Sequence, residues 1–373
     1  MMRIGIDARV LEKSMTGIGR FFLDLLDNIP SHDGTNEYFL FSCSKIPFEN
    51  SFYTKVETGK SIIPPKIYSP FWLNFVLPRY LKKYKIDIFY TPNYLCPFRK
   101  LNSTKSIIVV SDVVHKINKK FHSPFYNLYL NLLLPISISK SNSIITISEN
   151  SKRDIIKYYG VPAQKINVIY ISASDIFSSD NIESPIKNKI INDFDLPAKF
   201  ILYVGVIENR KNIVGILKIA DLLRERGVDI KTILIGKSGF GFKSLIKEIN
   251  KRSEYVRYLN FVDDESLSVI YKLAYLFIFP SFYEGFGLPP LESMQAGVPV
   301  LVSNSSSLVE VVNKGGIMHD PDDHKAFVED ILRLLDDNEY YEEMKEKALL
   351  QAQKFNRNSE IKKIFQIFSG ISL

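Results

Sequence analysis

Leu276–Val302 reads LFIFPSFYEGFGLPPLESMQAGVPVLV. Its first four residues are an unbroken apolar run with the length of a buried strand, Leu291–Ala296 is a short helical segment, and Pro299–Val302 is a second apolar run. Strand, helix and strand in that order, with both strands apolar throughout, predict a parallel sheet covered on both faces. Gly285 and Gly287 lie between strand and helix and let the backbone approach a ligand closely. Pro289 and Pro290 suit the first helical turn. A glycine loop at a helix N-terminus takes a phosphate. Glu284 and Glu292, expected to be exposed on either side, would accept hydrogen bonds from hydroxyl groups.

The alternation continues outward in both directions. In the C-terminal half, strands Phe200–Val204, Lys231–Ile235, Val256–Asn260 and Gly316–Met318 join the two above. They alternate with helices near Ile213–Arg226, Phe242–Asn250, Glu265–Leu273, Lys325–Leu335 and Glu339–Lys354. In the N-terminal half, strands Met2–Asp7, Tyr38–Phe41, Asp87–Tyr90, Ser106–Val110, Ser143–Ile147 and Ile166–Ile169 alternate with helices Arg20–Asn28, Phe71–Lys83, Phe125–Ser137 and Asn150–Tyr158. Pro78 must kink or divide the second of these helices, and Ser148 suits the N-cap of the last. Residues 171–197, rich in Ser, Asp, Asn and Pro, break the rhythm as a connection would. The pattern predicts α/β architecture with two Rossmann-like doubly wound domains, 1–170 and 198–356, and a ligand cleft between them. The last helix, within 357–373, is expected to pack back on the first domain.

Two further segments carry candidate chemistry. Tyr203–Ile213, YVGVIENRKNI, places Arg210 and Lys211 just ahead of a helix, as binding a diphosphate requires. Ile235–Phe242, IGKSGFGF, is a glycine-rich turn after a strand, with Gly236 at its start.

Composition excludes several classes. Hydrophobic residues make up 46% and charged residues 24%, the balance of a globular protein. The apolar stretch around Leu128–Ile138 is too short to span a bilayer, and the N-terminus does not resemble a secretory signal. Cys43 and Cys96 cannot build a disulfide framework and suit a reducing compartment. These features predict a cytoplasmic protein. The net charge of +7 is concentrated: residues 51–150 hold 14 Lys and Arg against 4 Asp and Glu. A basic sector suggests an anionic partner such as a membrane surface or a phosphorylated substrate. No nucleic-acid-binding motif accompanies it. Phe71, Trp72, Phe75 and Val76, followed by Arg79, Lys82, Lys83 and Lys85, suit a helix at a lipid headgroup layer, with Lys116, Lys119, Lys120 and Phe121 adding to it. This would place the protein peripherally at the inner face of the plasma membrane. The five histidines form no metal-ligand spacing.

YEGFGLPPLESMQAGVPV resembles the donor-binding signature of glycosyltransferase family 4, the retaining enzymes of GT-B fold. The resemblance implies that Glu284 contacts the transferred sugar, that Gly285, Phe286, Gly287 and Leu288 hold its hydroxyls and the phosphate, and that Glu292 binds the ribose. YVGVIENRKNI is similar to the family's diphosphate motif, which gives Arg210 and Lys211 the leaving group. Backbone near Gly236 would lie close to the nucleotide, and Phe261–Ala274 resembles the base-proximal segment. Met15–Phe21, MTGIGRF, resembles the N-terminal glycine loop, with Gly17 and Gly19 facing the cleft.

VVSDVVHK departs from the pattern: Ser111 stands where the family commonly has His, Asp112 matches the family's Asp, and His115 reads as an ordinary surface residue. Asp193-Phe194-Asp195 spells a metal motif of another glycosyltransferase fold but lies in the polar connection. With two cations at the diphosphate no metal or other cofactor is required. The resemblance implies a nucleotide-sugar donor, GDP-mannose first and UDP-sugars next. The acceptor would be a glycan or polyprenyl-diphosphate-linked glycan, as in bacterial O-antigen or capsule synthesis. Ser111 keeps open a non-catalytic nucleotide-sugar-binding subunit.

Overall fold

The computed structural model describes residues 1–12, 17–59, 65–99, 101, 103–121, 123–178 and 182–372. It divides into two compact units. One comprises Met1–Ile117, Pro124–Ile171 and Arg357–Leu373; the other comprises Asn118–Ser123 and Ser172–Asn356.

In the first unit, strands β1 (Arg3–Asp7), β2 (Glu37–Ser42), β3 (Tyr53–Glu57), β4 (Ile88–Thr91), β5 (Lys105–Val109), β6 (Ser143–Thr146) and β7 (Ile166–Val168) form one sheet. Its order is β3-β2-β1-β4-β5-β6-β7, parallel at every pairing. Ile4, Ile6, Ile88, Tyr90 and Ile107 are buried on one face with Phe22, Leu25 and Leu26 of the helix Gly17–His32. The C-terminal helix Arg357–Ser372 adds Ile361, Ile364 and Phe368 to the same cluster. Arg357 pairs with Asp24 at 3.0 Å, and Glu360 accepts a hydrogen bond from the Tyr170 amide.

In the second unit, β8 (Phe200–Val204), β9 (Lys231–Ile235), β10 (Val256–Leu259), β11 (Leu276–Phe279), β12 (Val300–Ser303) and β13 (Ile317–His319) form a parallel sheet. Its order is β10-β9-β8-β11-β12-β13, the Rossmann order in which chain direction across the sheet reverses between the first and fourth strands. Leu276, Phe277, Ile278 and Phe279 are all fully buried, as two covered faces require.

The structure departs from the sequence reading in places. β3 is an additional edge strand whose apolar content is little more than Tyr53 and Val56. Residues 171–197 carry a helix, Ser184–Asp193, which buries little beyond Ile190 and is therefore polar enough to resemble a connection. The helical stretch of Phe71–Lys83 is divided just ahead of Pro78, as that residue requires, but it begins earlier, at Pro65. Pro65–Phe71 runs into a π-helical turn over Trp72–Val76 and then Leu77–Lys83, with Pro78 in its first turn. Trp72, expected at a lipid surface, is fully buried and donates its Nε1 proton to Thr58 Oγ1 at 2.7 Å. Only Phe71 and Phe75 of that apolar group are exposed.

Candidate donor site

In the second unit the strand order reverses between β8 and β11, and crevices outside the carboxyl ends of strands at such a point are where doubly wound sheets bind ligands. β8 leads through Gly205 toward a 3-10 turn over Asn209–Lys211. Asn212 follows in the left-handed region (φ 54°) and caps the helix Ile213–Glu225, its side chain accepting from the Gly215 amide at 3.0 Å. Arg210 and Lys211 are thus fixed by a tight turn rather than carried on a loose loop. Gly236, just after β9, has φ +153°, and a Cβ there would lie 1.8 Å from the Gly205 carbonyl oxygen. The two strand ends meet backbone to backbone, which only glycine permits.

β11 leads into the loop bearing Glu284. The Lys211 ammonium lies 2.7 Å from Glu284 Oε1 and 2.8 Å from Oε2. Arg210 Nη1 lies 3.1 Å from Glu284 Oε2 and donates to the Tyr283 carbonyl at 2.6 Å. Arg210 Nε and Nη2 both donate to Glu208 Oε1, at 3.0 and 2.7 Å. Two cations and two carboxylates therefore form one cluster, with Glu284 6% and Lys211 7% exposed. Burial acts to raise the Glu284 pKa, but Arg210 and Lys211 reverse this and hold the carboxyl below its ordinary range. Burial, reinforced by neighbouring Arg210, lowers the Lys211 pKa against the pull of Glu284.

The loop after Glu284 is held from a second direction. Ser306 Oγ accepts from the Glu284 amide at 2.8 Å, and Ser307 Oγ donates to the carbonyls of Glu284 and Phe286 at 2.9 and 2.6 Å. The Phe286 ring is buried edge-on against Phe355. Gly287 (φ +116°) precedes the helix Leu288–Gln295, whose start has no side-chain cap. A Cβ at Gly287 would come 2.7 Å from Leu308.

Both acids of the motif differ from expectation in being buried rather than exposed. Glu284 is drawn in by its two cations. Glu292 is 3% exposed because its helix turns it toward Asp264–Leu273, where the Tyr271 hydroxyl donates to Oε2 at 2.8 Å. Glu208, Tyr271, Ser306 and Ser307 were not singled out in the sequence. The serine run Ser305–Ser307 after a strand was the available signal, since hydroxyls that satisfy loop carbonyls belong in such places.

The remaining candidates lie in the first unit. Gly17 opens the helix Gly17–His32 and Gly19 sits in its first turn, so both are helical rather than in a loop; Met15 and Thr16 of that motif, like His122, lie outside the described residues. Ser111 is buried beyond β5. Its hydroxyl is hydrogen-bonded to that of Tyr94, and its carbonyl accepts from Ser151 Oγ at 2.8 Å. The Asp112 carboxylate accepts from the Val114 amide at 3.2 Å, starting the short helix Val114–Ile117. That helix turns His115 inward. It is 1% exposed and its Nε2 lies 2.7 Å from the Tyr159 hydroxyl, which corrects the expectation of a surface residue.

Asp193 ends its helix, and Asp195, in the left-handed region, pairs with Arg257 at 3.0 Å. Among the described residues no group of three or more His, Cys, Asp or Glu could hold a metal ion. One cluster was missed. Asp7, at the end of β1, is fully buried and paired with Arg9 at 2.6 Å, and Arg9 Nη1 reaches Ser69 while its guanidinium stacks over Trp72.

Residues 186–351 match the model described as glycosyl transferases group 1, and residues 15–171 match that described as glycosyltransferase family 4. An O-antigen chain mannosyltransferase B of Escherichia coli is 31% identical, covering 95% of this chain and 96% of the relative. An O-antigen chain mannosyltransferase RfbU of Salmonella typhimurium is 28% identical over 57% of each. The structure of a sucrose-phosphate synthase from Thermosynechococcus elongatus superposes with a TM-score of 0.77 at 16% identity, over 100% of this chain and 99% of that one. This last likeness is one of fold, the GT-B fold.

Proposed function

This chain belongs to the family 4 glycosyltransferases, and from that premise we propose that it transfers a mannosyl group from GDP-mannose, with retention, to a growing O-antigen glycan. The observation that carries the reading is the convergence of Arg210, Lys211 and Glu284 at the strand-order reversal of the second unit. The names of the relatives, both O-antigen chain mannosyltransferases, supply the sugar and the product class.

The residues divide the work by charge. Arg210 and Lys211 offer positive charge to a diphosphate, which grows more negative as it leaves. Glu284 would accept from sugar hydroxyls and stabilise a cationic sugar ring; Glu292 would accept from the ribose. Because Lys211 and Arg210 already neutralise Glu284, the site is built before the donor arrives, and little reorganisation remains for the reaction step. The bond from the anomeric carbon to the phosphate oxygen breaks, the acceptor oxygen bonds to the same face, and its proton passes to the departing diphosphate. Two fixed cations at the leaving group supply the charge that a metal ion would otherwise supply. The acceptor would be a polyprenyl-diphosphate-linked glycan at the cytoplasmic side of the membrane.

A thermal-shift series with GDP-mannose and UDP-sugars, followed by mass-spectrometric detection of glycan extension, tests this. GDP-mannose should give the largest shift and add one hexose mass. A larger shift with a UDP-sugar would replace the donor. Donor binding without transfer or hydrolysis would favour the non-catalytic subunit that Ser111, in place of the family's common His, brings into view.

A further inference from the structure

The second unit includes a segment from far outside its own stretch of chain. Asn118–Ser123 lies in sequence between the short helix Val114–Ile117 and the helix Pro124–Lys140, both of the first unit, yet it packs with Ser172–Asn356. Phe121, grouped from the sequence with the basic sector, is half-buried there. Its ring stacks on that of Phe282, with centroids 6.3 Å apart and planes 13° from parallel. The turn that presents it is already formed. Lys119–Phe121 is a 3-10 turn in which the Lys120 amide donates to Asn118 Oδ1 at 3.0 Å and the Phe121 amide to the Asn118 carbonyl at 3.1 Å. A ring on a fixed turn gives up little further freedom when it stacks.

Phe282 sits where the two halves of the donor cluster join. Its amide donates to the Arg210 carbonyl at 3.0 Å, the Tyr283 carbonyl accepts from Arg210 Nη1 at 2.6 Å, and Glu284 follows. Just before it, the Ser281 carbonyl accepts from Ser305 Oγ at 2.8 Å. These bonds tie the loop backbone to residues of Ser172–Asn356, so Ser281–Tyr283 and the Arg210 turn move as one piece. The half-buried Phe282 side chain is held by Phe121, from the remote segment. A contact that favours one placement of Phe282 therefore favours one placement of Arg210 and Glu284.

We infer that Phe121 is a positioning residue of the donor site: its stack on Phe282 holds the Arg210 turn and the Glu284 loop in the arrangement that takes a nucleoside diphosphate. The inference rests on the donor reading of Arg210 and Lys211 above and adds to it a residue about 90 positions away in sequence. An aromatic pair of this kind contributes about three- to tenfold to an equilibrium. Loss of the pair lowers the fraction of molecules in the competent arrangement, and the apparent Kd rises by up to that factor.

Calorimetric titration of the full chain with GDP and with UDP, together with initial rates for the matching nucleotide sugar, tests this. Phe121→Ala should bind the preferred nucleotide about three- to tenfold more weakly and raise KM for the donor by a similar factor, with kcat within about twofold of wild type. Phe121→Tyr should restore both. Phe282→Ala should match Phe121→Ala, and the double variant should be no weaker than the worse single one, as two residues acting through one contact require. A Phe121→Ala protein with lowered Tm but unchanged nucleotide affinity and KM would show a merely structural ring and overturn the inference. So would alanine effects that multiply in the double variant. Lys120→Gln keeps the ring and removes the adjacent charge; weaker binding by it, with none lost in Phe121→Ala, would assign the turn to charge and overturn the role of the ring. Binding of neither nucleotide by the wild type overturns the donor reading and this inference with it, whereas equal binding by wild type and Phe121→Ala overturns the inference alone.

Discussion

Replacing Glu284 with glutamine keeps the side chain's shape and removes its charge from between Lys211, at 2.7–2.8 Å, and Arg210, at 3.1 Å. In the free protein this leaves two buried cations facing only Glu208. Removing one partner of a buried pair costs about 3–5 kcal/mol, and the amide oxygen still accepts one hydrogen bond, so the low end applies. For a unit of this size about 3 kcal/mol lowers Tm by roughly 6–12 °C. A nucleoside diphosphate brings back the missing negative charge, so GDP should raise the Tm of the variant by more than it raises that of the wild type. Transfer should nevertheless fall about 10²–10³-fold, the scale of one lost preorganised electrostatic contact in the transition state. Differential scanning fluorimetry with and without GDP, and mass-spectrometric initial rates, measure the three quantities. Unchanged Tm with transfer within about twofold of wild type would refute the role of Glu284. A GDP-induced shift no larger than wild type would refute the charge argument specifically.

Gly236→Ala places a Cβ on the Gly205 carbonyl and should destabilise the second unit by more than about 4 kcal/mol; a Tm within about 2 °C of wild type would contradict the close approach. Tyr271→Phe leaves the buried Glu292 without its 2.8 Å donor, which costs about 1–3 kcal/mol, and should raise KM for the donor more than it lowers kcat; an unchanged KM would count against Glu292 in ribose binding. Asp33 carries a pH signature. Burial acts to raise its pKa, but hydrogen bonds from the Tyr38 hydroxyl, Thr35 and Asn36 bring it to about 2, below the ordinary 3.8. A depressed carboxyl pKa stabilises the fold above the ordinary value and loses that contribution as pH falls toward 2. Asp33→Asn should therefore lower Tm at pH 7 and converge with wild type between about pH 4 and pH 2; parallel Tm curves would show that Asp33 contributes nothing by ionising.

Strand and helix identity in the second unit was legible because its strands are apolar runs: β8, β9 and β11 have the bounds their sequence implies. β3 and the helix Ser184–Asp193 were not legible because each buries too few residues to leave a periodic pattern, although Pro185 in the first turn of that helix was a start signal. At the site, residue types and spacing pointed to Arg210, Lys211 and Glu284, but burial was not readable. Whether a carboxylate faces water depends on partners far away in sequence: Lys211 lies 73 residues from Glu284, and Tyr271 lies 21 from Glu292. The inward turn of His115 was hidden for the same reason, since its partner Tyr159 is 44 residues away. Which side of the helix Pro124–Lys140 stays exposed was hidden because that helix is apolar on nearly all sides, and only packing decides it.

Binding of a nucleoside diphosphate by the second unit at Arg210 and Lys211 is tested most directly by a crystal structure grown with GDP. Diphosphate oxygens within hydrogen-bonding distance of both side chains, with ribose hydroxyls at Glu292, is the result this account predicts. A nucleotide bound elsewhere, with the Lys211–Glu284 pair untouched and no ligand beside it, would contradict it.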